Sequence, residues 1–292
     1  MPTPIQILLI GAGELGAAFL PHLSALPNTH VSVGVRTPAK YQDLAPSNVS
    51  LIAMDITSPS TQLSQTFVEY DIVISATGFG QSPGSVTKLA KEVFTAGHLR
   101  SLMPFFGEQA EVRNLLRAEA EKSNVKWTIV STGIFMSFLF EQFWGIVDHK
   151  SNPVPVLCSS PDRVVVRALR DWEQKVSVTD VADIGKVLTR VVAGDVEADN
   201  RIVYAAGDTV SYRELSEIVE CVAGKEVKRV EWTIPHLEAE LAKNPDDLIN
   251  KYRLVFARDG VWWDKKGTVN HQLSIHTMNV EMYARELFAA QK

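Results

Sequence analysis

Short apolar runs recur through the first half of the chain. Each run has the length of a strand, and near-continuous apolar character is typical of strands that are buried on both faces. We therefore predict strands over residues 5–10, 31–35, 49–54, 72–75, 99–103 and 127–131.

Helical periodicity fills the segments between these runs. Leu15, Phe19 and Leu23 repeat every fourth residue and predict one buried helix face, and Pro21 is expected to bend that helix. Similar spacing continues in the later intervening segments. Strands that alternate with helices predict a parallel sheet covered on both faces, because right-handed crossovers place the helices there. The predicted fold class is α/β, with a doubly wound sheet of the Rossmann type.

The rhythm breaks after residue 150, where several prolines precede a strand-like VVVRAL run. We predict that residues 1–150 form the sheet domain and that residues 174–206 rejoin it with a strand, a helix and another strand. Residues 151–173 and 207–292 are predicted to form a smaller, mainly helical domain.

Local capping signals predict helices in this second domain. Ser211 and Glu214 have the spacing of a capping box, and Gly224 follows the apolar face as a C-terminal cap. Apolar spacing predicts a last amphipathic helix over residues 280–288.

Composition narrows the classes of function. The chain of 292 residues is 46% hydrophobic and carries a net charge of −5 without a basic cluster, so no nucleic-acid partner is expected. Cys158 and Cys221 are far apart, and neither they nor the histidines have metal-ligand spacing, so we expect no disulfide framework and no metal site. No apolar run has the length of a membrane span or the flanks of a signal peptide, which favours a cytoplasmic location without membrane contact.

The motif GAGELG follows the first predicted strand and opens the first predicted helix. In that context glycines allow a tight turn, backbone approach to a pyrophosphate and close helix packing, while the helix start supplies free N–H donors. We predict that this turn binds a dinucleotide through Gly11, Gly13, Glu14, Leu15 and Gly16. The alternative is a glycine-rich connection that binds no ligand.

The end of the second predicted strand bears on the choice of cofactor. NAD-preferring folds offer Asp or Glu there to the ribose 2′-hydroxyl, whereas this chain has Arg36, with Lys40 four residues on. These cations can pair with a 2′-phosphate, which predicts NADP(H); the alternative is two solvated surface cations. Further predicted cofactor contacts follow the third, fourth and sixth strands: Asp55, Ala76, Thr77, Gly78, Thr132 and Gly133. Asp55 has the alternative role of capping a following helical turn.

Aromatic residues are concentrated in STGIFMSFLFEQFWG, just past the sixth predicted strand. Ligands bind at the carboxyl edge of such sheets, so Phe135, Phe138, Phe143 and Trp144 are predicted to line a pocket for a hydrophobic small molecule, aromatic substrates included. The alternative is that these rings form the seam between two domains.

Segments along nearly the whole chain resemble the NmrA-like, isoflavone-reductase-like branch of the atypical short-chain dehydrogenases. They include, in order, GAGELG, VRTPAK, ISATG, LRSLMP, EVRNLL, VSVTDVADIGKV and VYAAGDTVSYREL. The resemblance implies an NADPH-binding Rossmann domain with a substrate cleft against a smaller C-terminal domain. Plant members reduce benzylic ethers and isoflavones, whereas NmrA-type regulators bind the cofactor without turning it over. The resemblance therefore implies the cofactor more firmly than the reaction.

Two departures from the family pattern concern catalysis. No tyrosine has a Lys four residues later, so the Tyr-x-x-x-Lys dyad of ordinary short-chain dehydrogenases is absent. Reductases of the family place a Lys just before the helix that matches EVRNLL, and this chain has Gln109 at that catalytic position. A neutral amide neither donates a proton readily nor stabilises an alkoxide as an ammonium does. The connection from Pro104 to Glu108 is also short, through either a true deletion or a loop missing from the sequence.

Three functions remain open at this point. The leading one is an NADP(H)-dependent oxidoreductase that acts on a hydrophobic small molecule in secondary-metabolite biosynthesis, as a monomer or a homodimer. The second is a biosynthetic cyclase that retains NADP⁺ and uses it transiently or structurally. The third is a non-enzymatic redox sensor of the NmrA type, which should lack a substrate-sized pocket beside the nicotinamide.

Overall fold

The computed structural model describes residues 3–44, 46, 48–77, 84–96, 100–102, 109–149 and 164–290. Its strands, in chain order, are β1 (Ile5–Ile10), β2 (Thr29–Val35), β3 (Val49–Ala53), β4 (Ile72–Ser75), β5 (Arg100–Leu102), β6 (Lys126–Ser131), β7 (Ile134–Phe135), β8 (Val147–Asp148), β9 (Val164–Leu169), β10 (Lys175–Thr179), β11 (Arg201–Tyr204), β12 (Asp208–Ser211) and β13 (Val227–Trp232). Its α-helices are α1 (Glu14–Leu23), α2 (Ser60–Phe67), α3 (Ser85–Ala96), α4 (Gln109–Ala120), α5 (Val181–Ala193), α6 (Tyr212–Ala223), α7 (Ile234–Lys243), α8 (Leu248–Phe256), α9 (Val269–Gln272) and α10 (Val280–Ala289).

Seven strands form one fully parallel sheet in the order β11-β6-β5-β4-β1-β2-β3. The strand order reverses at β1, which is the arrangement of a Rossmann-type sheet. All six strands expected from the apolar runs are present, with small shifts at their ends. The predicted doubly wound α/β fold is confirmed.

The register of this sheet brings the carboxyl ends of four strands to one edge. Ile10 of β1 pairs with Gly34 of β2 and with Ser75 of β4, while Val35 pairs with Ala53 of β3. A ligand at this edge would therefore meet the residues that directly follow β1, β2, β3 and β4.

Helices cover the sheet through apolar side chains. Helix α1 continues through Pro21, and its Phe19 and Leu23 are fully buried. Helices α2, α3 and α4 contribute to a core cluster with β1, β4 and β6. Its members include Leu8, Ile10, Leu63, Phe67, Val73, Leu89, Val93, Val112, Leu116 and Trp127. Burial of this set stabilises the sheet layer, at roughly 1.5 to 3 kcal/mol for each large apolar side chain.

The chain divides into two compact units, one formed by Met1–Ser131 with Ile184–Tyr204 and the other by Thr132–Asp183 with Ala205–Lys292. These limits differ from the boundaries near residues 150 and 174 that the sequence suggested. A break in the sequence pattern is a local signal, whereas the division into units follows from long-range packing.

The second unit contains two three-stranded sheets, β12-β10-β7 and β13-β9-β8, in addition to helices. Helices α6 to α10 nevertheless contain most of the regular structure described in this unit, as expected, whereas the two small sheets were not predicted. Strand β10, expected to rejoin the main sheet, pairs with β12 and β7, whereas β11 pairs with β6 in the main sheet as expected.

The predicted capping signals of α6 are confirmed. The Ser211 hydroxyl accepts a hydrogen bond from the Glu214 backbone N–H, and the Glu214 carboxylate accepts one from the Ser211 backbone N–H. The helix ends at Gly224, whose φ of 62° is the left-handed conformation that glycine adopts without a steric penalty. Helix α10 likewise lies where the apolar spacing predicted the last helix.

Candidate functional site

The glycine-rich turn lies at the edge where β1 and β4 end together. The Gly11 N–H donates to the Gly34 carbonyl (3.1 Å), and the Ala76 N–H donates to the Ile10 carbonyl (2.9 Å). Both bonds continue the ladders of the sheet one residue past the strands. The turn from β1 into α1 is thereby fixed against the end of β4.

Two of the three motif glycines are required by the fold itself. Gly11 has a φ of +99°, and a Cβ there would lie 3.2 Å from the Ala76 carbonyl oxygen. A Cβ on Gly16 would lie 2.0 Å from the Gly11 carbonyl oxygen, which no real contact allows. Gly16 therefore lets α1 pack directly against its own turn.

Gly13 differs from both neighbours, because a Cβ at this position would meet nothing within 4 Å. Its φ of −70° is accessible to any residue, and it caps α1 without a side-chain hydrogen bond. The fold therefore does not demand glycine here. Open space in front of a helix start is the space that a bound pyrophosphate needs.

The other residues of the motif divide by burial. Glu14 is exposed in the first turn of α1, whereas the Leu15 side chain is 6% exposed and belongs to the core. Of the two, only Glu14 presents a side chain to the surface. A cofactor contact through Leu15 is confined to its backbone.

The segment after β4 passes the same edge with mostly buried side chains. Ala76 and Thr77 are 6% and 7% exposed, and the Ser75 and Thr77 hydroxyl oxygens lie 2.8 Å apart. This bond holds the backbone that leaves the strand. Gly78, the third cofactor residue predicted here, lies outside the described residues.

Arg36 and Lys40 are both exposed in the connection after β2. Arg36 directly follows the strand, and Lys40 ends a 3-10 turn over Pro38–Lys40 whose last N–H donates to the Thr37 carbonyl (3.1 Å). The turn fixes the backbone between the two cations and leaves their side chains accessible to an anion.

Asp55 closes a local turn after β3. Its Oδ1 accepts hydrogen bonds from the Thr57 backbone N–H and from the Thr57 hydroxyl, both at 2.8 Å. These two bonds, in that order, hold the pKa of Asp55 below its ordinary value, and the positive charges of Arg36 and Lys88 act in the same direction. The turn-forming role is therefore present, while an adenine contact through Asp55 stays a prediction.

Thr132 and Gly133, the last two predicted cofactor residues, belong to the second unit. The Thr132 carbonyl accepts a hydrogen bond from the Thr179 hydroxyl (2.6 Å). Gly133 has a φ of +69°, and a Cβ on it would lie 2.0 Å from the Ser177 carbonyl oxygen. Close packing against β10 accounts for this glycine without a ligand.

The aromatic residues after β6 form a ring cluster in the second unit. The Phe138 ring lies 5.2 Å from Phe135, 5.0 Å from Phe143 in an edge-on arrangement, and 6.2 Å from Trp144, all between ring centroids. Phe143 is 45% exposed, whereas Trp144 is 1% exposed and packs edge-on against Phe256. Burial of Trp144 counts against a role in lining a pocket, and a ligand-binding role for the three phenylalanines stays a prediction.

Two arginines, which the sequence did not single out, hold the segment that carries Phe143 and Trp144. Arg253 donates to the Phe143 carbonyl (2.9 Å) and to the Trp144 carbonyl (2.8 Å), and Arg167 donates to the Gly145 carbonyl (2.8 Å). We call these two side chains the arginine clamp.

The clamp is organised around one indole ring. The guanidinium carbons of Arg253 and Arg167 lie 4.6 and 5.3 Å from the centroid of the Trp232 ring. Burial lowers the pKa of Arg253, and the negative charge of Asp247 opposes that effect. The hydrogen bonds to carbonyl groups and the contacts with the indole ring together offset the cost of removing part of the two guanidinium groups from water.

Gln109 is the first residue of α4, and residues 103–108 lie outside the described part of the chain. The catalytic assignment of Gln109 therefore stays a prediction. Within the described ranges, no group of three or more His, Cys, Asp or Glu side chains could hold a metal ion. None of the helices in those ranges combines the length and apolar character that crossing a membrane requires.

Comparison with known proteins gives consistent similarities along the chain. A model of the NmrA-like family matches residues 5–258. An NmrA-like family domain-containing oxidoreductase from Gibberella moniliformis is 33% identical over 314 aligned residues, which cover 97% of this chain and 98% of that relative.

Solved structures share the fold at lower identity. An NADPH-dependent quinone oxidoreductase from Escherichia coli, complexed with NADPH, is 17% identical with a TM-score of 0.76, covering 97% of this chain and 99% of that one. The negative transcriptional regulator NmrA in complex with NADP is 15% identical with a TM-score of 0.70, covering 99% and 97%. The fold thus occurs in an enzyme and in a regulator, both crystallised with the same class of cofactor.

Proposed function

Because the chain belongs to the NmrA-like family, we propose that it is an NADP(H)-dependent oxidoreductase that acts on a hydrophobic small molecule. The observation that carries the cofactor assignment is the open space at Gly13, where the fold does not itself require a glycine. The enzyme assignment follows the oxidoreductase from Gibberella moniliformis, which matches over nearly its whole length.

The residues at the carboxyl edge of the sheet fit a dinucleotide phosphate. The start of α1 beside Gly13 would receive the pyrophosphate on backbone N–H groups, as helix starts do for anions. Arg36 and Lys40 would receive the 2′-phosphate, since both are exposed in the connection after β2. When bound, the nicotinamide supplies or accepts a hydride.

The substrate assignment rests on the rings of the second unit. Phe135 and Phe138 are partly exposed and Phe143 is 45% exposed, so three adjacent phenyl rings offer an apolar surface to a ligand. Apolar lining with few polar groups is typical of small-molecule pockets and selects hydrophobic or aromatic substrates. We place the physiological role in secondary-metabolite biosynthesis.

Replacement of Arg36 by alanine is expected to weaken NADPH binding about ten- to a hundredfold, because a charge-assisted pair to phosphate contributes about 1.5 to 3 kcal/mol. NADH lacks the 2′-phosphate, so its affinity for the protein should fall little. Calorimetric titration of both cofactors measures the difference. Arg201→Ala is the matched control, because Arg201 begins β11 at the opposite edge of the sheet. Equal losses for NADPH and NADH in Arg36→Ala would contradict the 2′-phosphate assignment.

The neutral side chain of Gln109 bears on whether the reaction needs a proton donor. If hydride passes to or from an already activated substrate such as an iminium ion, no proton donor is required, and a neutral amide suffices to position cofactor or substrate. Because a neutral amide does not readily protonate the alkoxide that forms from a ketone, we expect weak activity towards simple ketones. Gln109→Ala should lower turnover modestly, and Gln109→Lys should bring no gain.

The measurement is NADPH oxidation and NADP⁺ reduction with a panel of cyclic iminium ions, quinones and aromatic ketones. Gln62→Ala, which removes an exposed amide on α2, is the control variant. A loss of more than about a thousandfold in Gln109→Ala, beyond the usual effect of one oxyanion donor, would make Gln109 central to the chemistry. Tight binding of NADPH and NADP⁺ without turnover of any substrate class would favour a redox-sensing regulator instead.

A further inference from the structure

A pocket of about 440 Å³ is lined by residues of the second unit. None of the aromatic residues of the ring cluster is among its lining residues. One wall is the backbone of Ala206 and Gly207 between β11 and β12, and another includes Lys265, Asn270 and His271. The remaining wall is the loop 273–279 that leads into α10. The volume suits a small organic molecule.

Buried side chains hold these walls in one conformation. The Asn270 side chain, 5% exposed, forms two hydrogen bonds with the Ala206 backbone, at 3.1 Å to its N–H and 2.9 Å to its carbonyl. Asp183, 2% exposed, accepts from the Met278 N–H at 2.6 Å. A Cβ on Gly207 would lie 2.2 Å from the Met278 carbonyl oxygen, so the loop lies directly on that glycine. The pocket is therefore preorganised.

Several side-chain acceptors at this pocket already have donors. Asn270 Oδ1 accepts from the Ala206 N–H, and Asn279 Oδ1 accepts from the Met282 N–H as the cap of α10. The nearby Asp208 carboxylate accepts from the N–H groups of Thr209 and Val280 and from Lys265 Nζ. No Asp or Glu occurs among the described residues that line the pocket.

Donor groups, in contrast, remain available. Lys265 is 48% exposed and has three N–H groups, of which the pair with Asp208 uses one. His271 is exposed and carries at least one ring N–H in either tautomer, and the Asn279 amide keeps its own N–H groups. A ligand that brings acceptors can therefore bind these donors, and a negative charge strengthens each bond it accepts from Lys265.

We propose that this pocket binds the carboxylate of a small organic acid, with Lys265, His271 and Asn279 as donors. Asp208 already engages one N–H of Lys265 (2.9 Å) and the Val280 N–H (3.2 Å), so a ligand carboxylate would use the two remaining N–H groups of Lys265 and share its charge with Asp208. The proposal concerns binding and does not depend on the oxidoreductase activity proposed above.

Calorimetric titration of the full chain with cinnamate and with cinnamamide tests the proposal, because the two probes share one shape and differ in charge. Cinnamate should bind about tenfold more tightly than cinnamamide, and Lys265→Met should remove most of that preference. His271→Gln should weaken the binding of cinnamate by a smaller factor than Lys265→Met does. Lys266→Met is the matched control, since this neighbouring lysine is exposed and does not line the pocket.

Equal affinity for the two probes, absence of cinnamate binding, or equal effects of Lys265→Met and Lys266→Met would overturn the proposal. Circular dichroism of each variant separates loss of binding from loss of fold. NADPH affinity should be the same in all three variants, so a failure here is distinct from a failure of the cofactor assignment.

Discussion

Replacing Gly13 by valine is expected to abolish dinucleotide binding while the fold stays intact. The backbone at Gly13 is in a region open to all residues, and a Cβ there meets no protein atom within 4 Å. The added side chain would instead occupy the space in front of α1 that a pyrophosphate requires. We expect NADPH affinity to fall at least about a hundredfold, equivalent to about 2.7 kcal/mol. Fluorescence titration with NADPH measures this loss.

Gly16→Ala is the matched control, because it adds one methyl group in the same motif with the opposite expected result. Its Cβ would lie 2.0 Å from the Gly11 carbonyl oxygen, so α1 must move. We expect the free energy of unfolding to fall by about 3 kcal/mol, as in overpacked cores. Gly13→Val should lower the free energy of unfolding by no more than about 1 kcal/mol, through the poorer N-cap of α1. Normal NADPH binding by folded Gly13→Val would show that the turn does not hold the pyrophosphate.

The main sheet was predictable because its inner strands β1, β2 and β4 are largely buried on both faces. Burial leaves a continuous apolar run that few other elements produce, as in ILLI within β1 and IVIS in β4. The NmrA-like resemblance, carried by motifs at the ends of these strands, is confirmed by the family match over residues 5–258. The capping box of α6 was equally readable, since Ser211 and Glu214 interact over three residues.

The small sheets of the second unit were not predictable from such patterns. Strands β7 and β8 contain two residues each, too few to show any periodicity. Strand β10, with the sequence KVSVT, is recognisable as a strand from its alternating valines, but its partners are set by tertiary packing. Local sequence therefore identified β10 as a strand and assigned it to the wrong sheet.

The candidate site shows the same division between local and distant interactions. The turn at Gly11 to Gly16 and the cation at Arg36 follow from their positions after two strands. The clamp does not, because Arg253 meets the Trp144 carbonyl across 109 residues of sequence. No spacing rule connects residues so far apart. From sequence alone, a single Arg in an amphipathic helix is expected to be solvated.

Arg253→Met is expected to lower the free energy of unfolding by about 2 to 4 kcal/mol. The substitution keeps an unbranched chain over Trp232 but removes the donors to the Phe143 and Trp144 carbonyls and to Asn250. Hydrogen bonds from a charged group contribute about 1.5 to 3 kcal/mol each, and part of this is regained when the carbonyls reach water. Denaturant unfolding followed by tryptophan fluorescence measures the change.

Arg258→Met serves as the comparison, because Arg258 is 64% exposed and its nearest carboxylate oxygen, on Glu238, is 3.7 Å away. A surface pair of this kind contributes about 1 kcal/mol or less. Arg253→Lys should recover only part of the loss, since one ammonium cannot reproduce a planar fork that both stacks on Trp232 and donates to two carbonyls. If Arg253→Met unfolds at the same denaturant concentration as Arg258→Met, the clamp does not fix the aromatic segment.

If the clamp does fix this segment and the phenylalanines line the substrate pocket, Arg253→Lys should raise KM for a hydrophobic substrate more than it lowers kcat. The affinity for NADPH should stay unchanged.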